Sequence, residues 1–98
     1  MPFIILFKDN PDADPDIRKT HMEAHLSFLE QHSDQISAAG PLMDTDGRGQ
    51  GGIWVLDALD AASVETLIHE DPFWETGLRA SYDILQWKQV FAVGQRQI

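Results

Sequence analysis

The sequence contains no cysteine. Disulfide bonds, thiolate metal ligands and cysteine nucleophiles are therefore excluded, and this composition is typical of a protein from a reducing compartment. Basic residues are also scarce, because 7 Lys and Arg residues stand against 16 Asp and Glu residues and give a formal net charge of -9. A field of this sign repels phosphate backbones and anionic lipid surfaces. We therefore expect neither nucleic acid nor a membrane among the partners.

Long apolar runs are missing as well. No run approaches the ~20 residues that a helix needs to cross a bilayer, and the first residues lack the length and basic flank of a secretory signal. We therefore expect a cytoplasmic protein. With 98 residues, of which 43% are hydrophobic, the chain is predicted to form a single domain over residues 1–98 that buries about two-thirds of its unfolded surface.

The apolar patterns predict strands and helices in alternation. Strands are expected at residues 3–7, 35–42, 53–56 and 82–93, helices at about 14–32 and at 60–69, and a short turn at 73–78. The order β-α-β-β-α-β is that of a ferredoxin-like sandwich, an α+β fold with both helices on one face of the sheet. The opposite face also carries apolar residues, so we expect a second copy of the chain to cover it in a homodimer with a barrel-like interface.

Polar residues and a proline indicate the helix ends. Asp14 is the predicted N-cap of the first helix, and Asp60 or Ser63 is that of the second. The second helix is expected to stop at Asp71-Pro72, because the residue before a proline is driven out of the helical conformation.

Glycine and proline interrupt the middle of the chain. Gly40-Pro41 predicts a bend or a bulge in the second strand, since proline cannot donate to a sheet ladder. Between residues 44 and 52, four of nine residues are glycine, and this predicts a mobile hairpin loop. It is not a phosphate-binding loop, because its glycines lead into a strand whereas such loops feed a helix.

Histidines interrupt the apolar face of the first helix. The predicted stripe consists of Ile17, His21, Ala24, Phe28 and Leu29, with His25 and His32 at its margin. A half-buried imidazole must give its ring nitrogens to a partner or a ligand. These histidines are therefore either satisfied residues at the edge of the core or part of a functional site.

His21 and His25 have the i, i+4 spacing at which a helix can present two imidazoles to one metal ion. The zinc-hydrolase patterns also need a glutamate directly after the first His or directly before the second, and Met22 and Ala24 occupy those positions. The sequence also has no third ligand at a defined spacing. We therefore predict no metal and no other cofactor.

Asp71 follows a helix end, precedes Pro72 and stands near the aromatic residues Phe73 and Trp74. Its carboxylate can cap the next turn. It can also pair with a histidine of the first helix, because a carboxylate on one ring nitrogen fixes the tautomer and raises the basicity of the other nitrogen. Both interpretations stay open, since a sequence does not supply the distance.

Several short motifs occur in a fixed order, namely His25-Leu26, Gly40-Pro41-Leu42, the Gly-rich hairpin, Asp71-Pro72-Phe73 and Gly77-Leu78 before a closing strand. In this combination, which spans nearly the whole chain, the sequence resembles the YciI-like (YCII-related) proteins. The resemblance implies a dimeric α+β barrel of ferredoxin-like subunits with a His-Asp pair, which falls on His25 and Asp71. Many members have an arginine three positions before that histidine. Here Met22 stands there, with His21 beside it and Arg18 one turn further back.

The resemblance also implies an activity. Relatives on this fold include dehydrochlorinases and muconolactone isomerase-like proteins, so the expected protein is a cofactor-independent acid-base enzyme of the lyase or isomerase type. His25 is its general base, Asp71 orients that base, and the substrate is a small aromatic or enol-like molecule. The residues expected to bind the substrate are Arg18, His21, Trp54, Phe73 and Trp74. The alternative is a non-catalytic small-molecule-binding or accessory protein of the same fold.

Overall fold

The computed structural model describes residues 1–98. Its elements are β1 (Pro2–Asp9), α1 (Ile17–Gln31), β2 (Ile36–Met43), β3 (Gly49–Asp57), α2 (Ala61–Glu70), α3 (Pro72–Glu75), β4 (Arg79–Gln86), β5 (Phe91–Ala92) and β6 (Gln95–Arg96). Strands β1 to β4 together with α1 and α2 confirm the predicted βαββαβ order and the α+β class. The single-turn helix α3 and the β5–β6 hairpin are additions to it.

Strand β1 is the centre of the fold. It pairs antiparallel with β3 on one side and with β4 on the other, in a sheet of the order β2-β3-β1-β4. Its side chains Phe3, Ile5 and Phe7 are buried on one face. They belong to one core cluster with Phe28 of α1 and Ile68 of α2. Both long helices therefore cover this face of the sheet.

The other face of the sheet is apolar but only half-buried. Ile4 and Leu6 of β1 stand opposite Val55 and Ile53 of β3, and all four side chains are partly exposed. Leu85 of β4 pairs with Ile4 and is 48% exposed. These five residues form a continuous apolar surface, which we call the open face. Within a single chain, β1 is therefore buried on one face only.

The buried side of helix α1 includes Phe28 and Leu29, as predicted, but it is centred further round the helix than the predicted stripe. His25 and Phe28 are buried, whereas Ala24, which the prediction placed on the apolar stripe, is exposed. His25 therefore lies in the centre of the buried side rather than at its margin. An imidazole can be packed inside in this way only when its polar nitrogen meets a partner.

Of the two predicted helix N-caps, one is confirmed and the other is wrong. Asp60 caps α2 by accepting the Ser63 N–H at 2.8 Å, and this hydrogen bond lowers the pKa of Asp60 below its ordinary value. At α1 the predicted cap is wrong, because Asp16 precedes the helix and Asp14 instead accepts the Asp16 N–H at 2.9 Å. None of the helices combines the length and the apolar character needed to cross a membrane.

Strand β3 begins earlier than predicted. It starts at Gly49 rather than Ile53, so the hairpin connection is confined to residues 44–48. Gly51 is buried with a φ of +95°, and a Cβ built there would lie 1.8 Å from the carbonyl oxygen of Phe7. Glycine is thus required here for the close approach of two strands and not for a mobile loop.

Strand β2 is irregular, as predicted, but the irregularities flank Gly40. The register shifts between Ile36 and Ala38 and again between Pro41 and Met43, while Gly40 itself is paired. Because β2 is the edge strand of the sheet, a proline without an N–H is tolerated there.

The final strand is shorter than predicted. Strand β4 covers Arg79–Gln86 instead of residues 82–93, because its neighbour β1 begins at Pro2, whose carbonyl accepts the Trp87 N–H at 2.9 Å. Beyond this point β4 has no strand left to pair with. Val93 and Gly94 adopt φ values of 48° and 74°, and the chain turns back on itself as the β5–β6 hairpin.

Gly51→Ala should lower the free energy of unfolding by about 3 kcal/mol or more, because the backbone strain at positive φ adds to overpacking against the strand. The matched control is Gly47→Ala in the hairpin turn, where φ is +82° and nothing lies within 4 Å of the added Cβ. In Gly47→Ala only the backbone strain acts, and it should lower the free energy of unfolding by about 1–2 kcal/mol. Urea denaturation of both variants measures the difference, and equal losses would contradict the close approach of β3 to β1.

Candidate active site

A cavity of about 160 Å³ lies between α1 and the helix-covered face of the sheet. Its polar wall consists of Arg18, His25 and Arg79, and its aromatic wall of Phe7, Trp54 and Phe73. An apolar cavity of about 150 Å³ in another protein is large enough to bind benzene. This cavity therefore has room for a molecule built on one six-membered ring.

His25 reaches the cavity from the middle of α1. Its Nδ1 lies 2.9 Å from Oδ1 of Asp71. Its ring stacks on Phe73, with the centroids 4.2 Å apart and the planes at 23°. The imidazole is thus held by one hydrogen bond in its plane and by one aromatic ring on its face.

Asp71 lies at the junction between α2 and α3. Pro72 keeps it in an extended conformation, with φ -64° and ψ 129°, and its side chain is fully buried. Besides the hydrogen bond with His25, Oδ1 accepts a hydrogen bond from the Phe73 N–H at 3.0 Å. Oδ2 accepts a hydrogen bond from Nη1 of Arg79 at 2.8 Å. The capping role and the pairing with a histidine, which the sequence left as alternatives, therefore occur in one carboxylate.

The protonation state of Asp71 follows from these donors. Burial alone would raise the pKa of Asp71, but the hydrogen bond from His25, the charge of Arg79 and the Phe73 N–H together hold this pKa below its ordinary value. The ionised carboxylate only accepts hydrogen bonds, so Nδ1 of His25 must carry the proton that lies between them. In the neutral imidazole, Nε2 then holds the lone pair.

Nε2 of His25 is the free nitrogen of the site. It has no hydrogen-bond partner in the chain, yet it is not a fully buried atom. Because His25 lines the cavity, Nε2 is available to a molecule bound there. The arrangement can therefore exchange a proton with such a molecule.

Arg79 is the residue of the site that the sequence prediction missed. It is the first residue of β4, its side chain is 7% exposed, and its guanidinium carbon lies 3.9 Å from the centroid of the Phe7 ring. Burial lowers the pKa of Arg79 while Asp71 opposes this shift, and an arginine stays charged in proteins. No periodicity or motif spacing singles Arg79 out in the sequence, where it is an isolated cation between Gly77-Leu78 and the predicted closing strand.

The predicted substrate-binding residues divide into two groups. Arg18, Trp54 and Phe73 line the same cavity as His25, and Arg18 is held there by a bidentate ion pair with Asp9, at 2.7 and 3.2 Å. Their contact with a substrate stays a prediction.

His21 and Trp74 do not line the cavity. The cavity side of α1 runs through Met22, and His21 lies to one side of it by about a quarter turn. The Trp74 ring packs instead against His69 and Tyr82, with centroids 4.7 and 5.6 Å away. The structure therefore does not bring these two residues to the cavity with the other three, and their contact with a substrate stays a prediction.

No group of three or more His, Asp or Glu side chains lies close enough together to hold a metal ion. Of the two histidines at i, i+4 spacing, His25 has its Nδ1 engaged with Asp71, and His21 lies outside the cavity.

Comparison with known proteins supports the fold. The model of the YCII-related domain matches residues 1–88, and no curated protein matches the chain. Among solved structures, the chain is similar to 5-chloro-2-hydroxyhydroquinone dehydrochlorinase from Burkholderia phenoliruptrix, in complex with 2,5-dihydroxybenzoquinone. The TM-score is 0.74 and the identity is 28%, over 90% of this chain and 94% of that one. The predicted fold, that of the dimeric α+β barrel proteins, is confirmed by this match.

Asp71→Asn should lower the free energy of unfolding by about 3 kcal/mol at neutral pH, because it leaves the buried guanidinium of Arg79 without its counter-charge. A carboxyl whose pKa is lowered on folding stabilises the folded state above its unfolded pKa of about 3.9, and this stabilisation is lost as the pH falls through the folded value. The part of the difference that comes from ionisation of Asp71 should therefore shrink below about pH 4. Urea denaturation at each pH measures it.

Asp60→Asn is the matched control for this experiment. Asp60 is an exposed cap bonded to Ser63, and Asn caps a helix as well as Asp does. This variant should therefore unfold like the wild type at neutral pH. An Asp71→Asn variant that is equally silent would mean that Asp71 serves only as the cap of α3.

Proposed function

Because the chain belongs to the family of YCII-related domains, we propose that it is a cofactor-independent acid-base enzyme of the lyase or isomerase type. His25 is the general base and Asp71 orients it. The observation that carries this proposal is the 2.9 Å contact between Nδ1 of His25 and Oδ1 of Asp71, which leaves the second ring nitrogen for a molecule in the cavity.

The chemistry starts with proton transfer. In the keto tautomer of the substrate, Nε2 of His25 takes a proton from an sp³ carbon or from a hydroxyl oxygen, and the electron pair of the broken C–H or O–H bond forms a new double bond. In a lyase, the shift of electrons expels a leaving group with its bonding pair. In an isomerase, the imidazolium returns the proton to a different carbon. Asp71 stays ionised throughout and stabilises the imidazolium that forms.

The substrate class follows from the cavity and from the structural neighbour. The cavity has the volume of one ring and is walled by Phe7, Trp54 and Phe73, which favour a flat apolar body. The neighbour is a dehydrochlorinase of 5-chloro-2-hydroxyhydroquinone, a substituted six-membered ring. Both support a small aromatic or enol-like substrate for this chain.

His25→Gln should reduce turnover by roughly 10²- to 10⁴-fold, the usual contribution of a general base. Chloride release from 5-chloro-2-hydroxyhydroquinone measures elimination, and uptake of solvent deuterium into the ring of unchlorinated 2-hydroxyhydroquinone measures proton transfer alone. The matched control is His21→Gln, one turn earlier on α1 and outside the cavity, which should leave both rates unchanged.

Equal rates for the wild type and His25→Gln would contradict the proposal. If the wild type binds these compounds but catalyses neither reaction, the protein is instead a small-molecule-binding member of its family.

We also propose that the chain forms a homodimer through the open face. Folded monomers rarely expose continuous apolar patches above several hundred Å², and a second copy of the same sheet would cover Ile4, Leu6 and their neighbours around a twofold axis. The proposal concerns assembly only, because every residue of the candidate site belongs to one chain.

Ile4→Lys should convert the protein from a dimer to a folded monomer. Ile4 lies on the open face between Val55 and Leu85, so a charge there opposes association and does not enter the core. Sedimentation equilibrium at micromolar concentration should give twice the chain mass of 11.0 kDa for the wild type and a single mass for the variant. Leu59→Lys, at a residue 84% exposed and away from the sheet, should remain dimeric. A monomeric wild type would rule out this interface.

A further inference from the structure

Arg79 has unused hydrogen-bond capacity at the cavity. A guanidinium carries five N–H donors, and only Nη1 of Arg79 is engaged, by Asp71. None of its other nitrogens is a fully buried atom without a partner. Since Arg79 lines the cavity and its side chain is only 7% exposed, its free donors open onto the cavity.

The permanent charges on the cavity wall have one sign. Arg18 and Arg79 line the wall beside His25, and no acidic side chain does. The acidic partners of these arginines do not line the cavity: Asp9 pairs with Arg18, and Asp71 pairs with Arg79. The cavity is therefore a basic site in a chain whose net charge is -9.

We propose that Arg79 makes the cavity selective for small molecules with an anionic oxygen, such as a phenolate or an enolate, next to the group that His25 deprotonates. This deepens the proposed function and rests on it for the location of the site. The two oxygens of Asp71 hold His25 and Arg79 respectively. The base and the anion-binding group are thus fixed side by side on one carboxylate.

The apolar surroundings of Arg79 make its hydrogen bonds selective for an anionic oxygen. The guanidinium carbon of Arg79 lies 3.9 Å above the Phe7 ring and 5.5 Å from the centroid of Phe73, so water solvates it poorly. An anionic oxygen would accept charge-assisted hydrogen bonds there. A neutral ligand of the same shape would offer these donors only an uncharged acceptor, whose hydrogen bonds are roughly half as strong. When a substrate loses its proton to His25, the same donors stabilise the charge that develops on its oxygen.

A matched pair of probes tests this selectivity in the wild type. 4-Nitrophenol and 4-nitroanisole share one ring, but only the first can ionise, and its anion absorbs visible light. Quenching of the tryptophan fluorescence reports binding of both, because Trp54, one of the three tryptophans of the chain, lines the cavity. The phenolate should bind about ten- to a hundredfold tighter than the ether, and the affinity for 4-nitrophenol should rise as the pH passes upward through the pKa of the probe. Equal affinities at every pH would overturn the inference.

Variants then assign the preference to one residue. Arg79→Met should abolish the preference for the phenolate, whereas Arg48→Met, in the exposed hairpin turn, should keep it. A preference that survives in Arg79→Met, or that is lost in Arg18→Met instead, would overturn the assignment to Arg79. His25→Gln separates this inference from the proposed function, because that variant should lose turnover and still prefer the phenolate.

Discussion

The buried carboxylate of Asp71 is the interaction on which the site depends. It joins three elements, because its oxygens accept hydrogen bonds from His25 of α1, from the Phe73 N–H of α3 and from Arg79 of β4. A charge at this depth is tolerable only when such donors replace its water. The same donors keep it ionised, and its ionisation fixes the tautomer of His25. The stability of the folded chain and the tautomer of His25 therefore depend on the same carboxylate.

A local backbone rule explains how this carboxylate comes to be buried. Pro72 ends α2 and starts α3, and Asp71 must adopt the extended conformation between them. From this position its side chain caps α3 and meets α1 at the same time. Capping and pairing with a histidine were alternatives in the sequence, but a carboxylate has two oxygens with several lone pairs. Asp71 can therefore cap α3 and pair with a histidine at the same time. The backbone conformation that makes it a cap also places its carboxylate beside α1.

The order of the elements could be predicted because it rests on local periodicity, whereas the errors concern facts that depend on distant strands. Strand β4 ends where β1 offers no further partner, although the apolar alternation continues beyond Trp87. Gly51 looked like part of a loop because its close approach to Phe7 is a property of two strands. His25 and Asp71 could be named from a resemblance, while Arg79 could not, since a lone arginine at a strand start has no periodic signal and acquires its partner only in the folded chain.

Charge acts on two scales in this molecule. The net charge of -9 acts at long range and disfavours polyanions such as nucleic acids, which must meet many charges at once. At physiological ionic strength, however, exposed charges are screened beyond about 8 Å. A small ligand in the cavity therefore experiences the groups in contact with it, and these are Arg18, His25 and Arg79 between aromatic walls. In such a poorly solvated place, a few oriented donors outweigh the charge of the whole surface. An acidic protein can for this reason contain a basic site, and composition alone does not indicate the charge of the molecule that it binds.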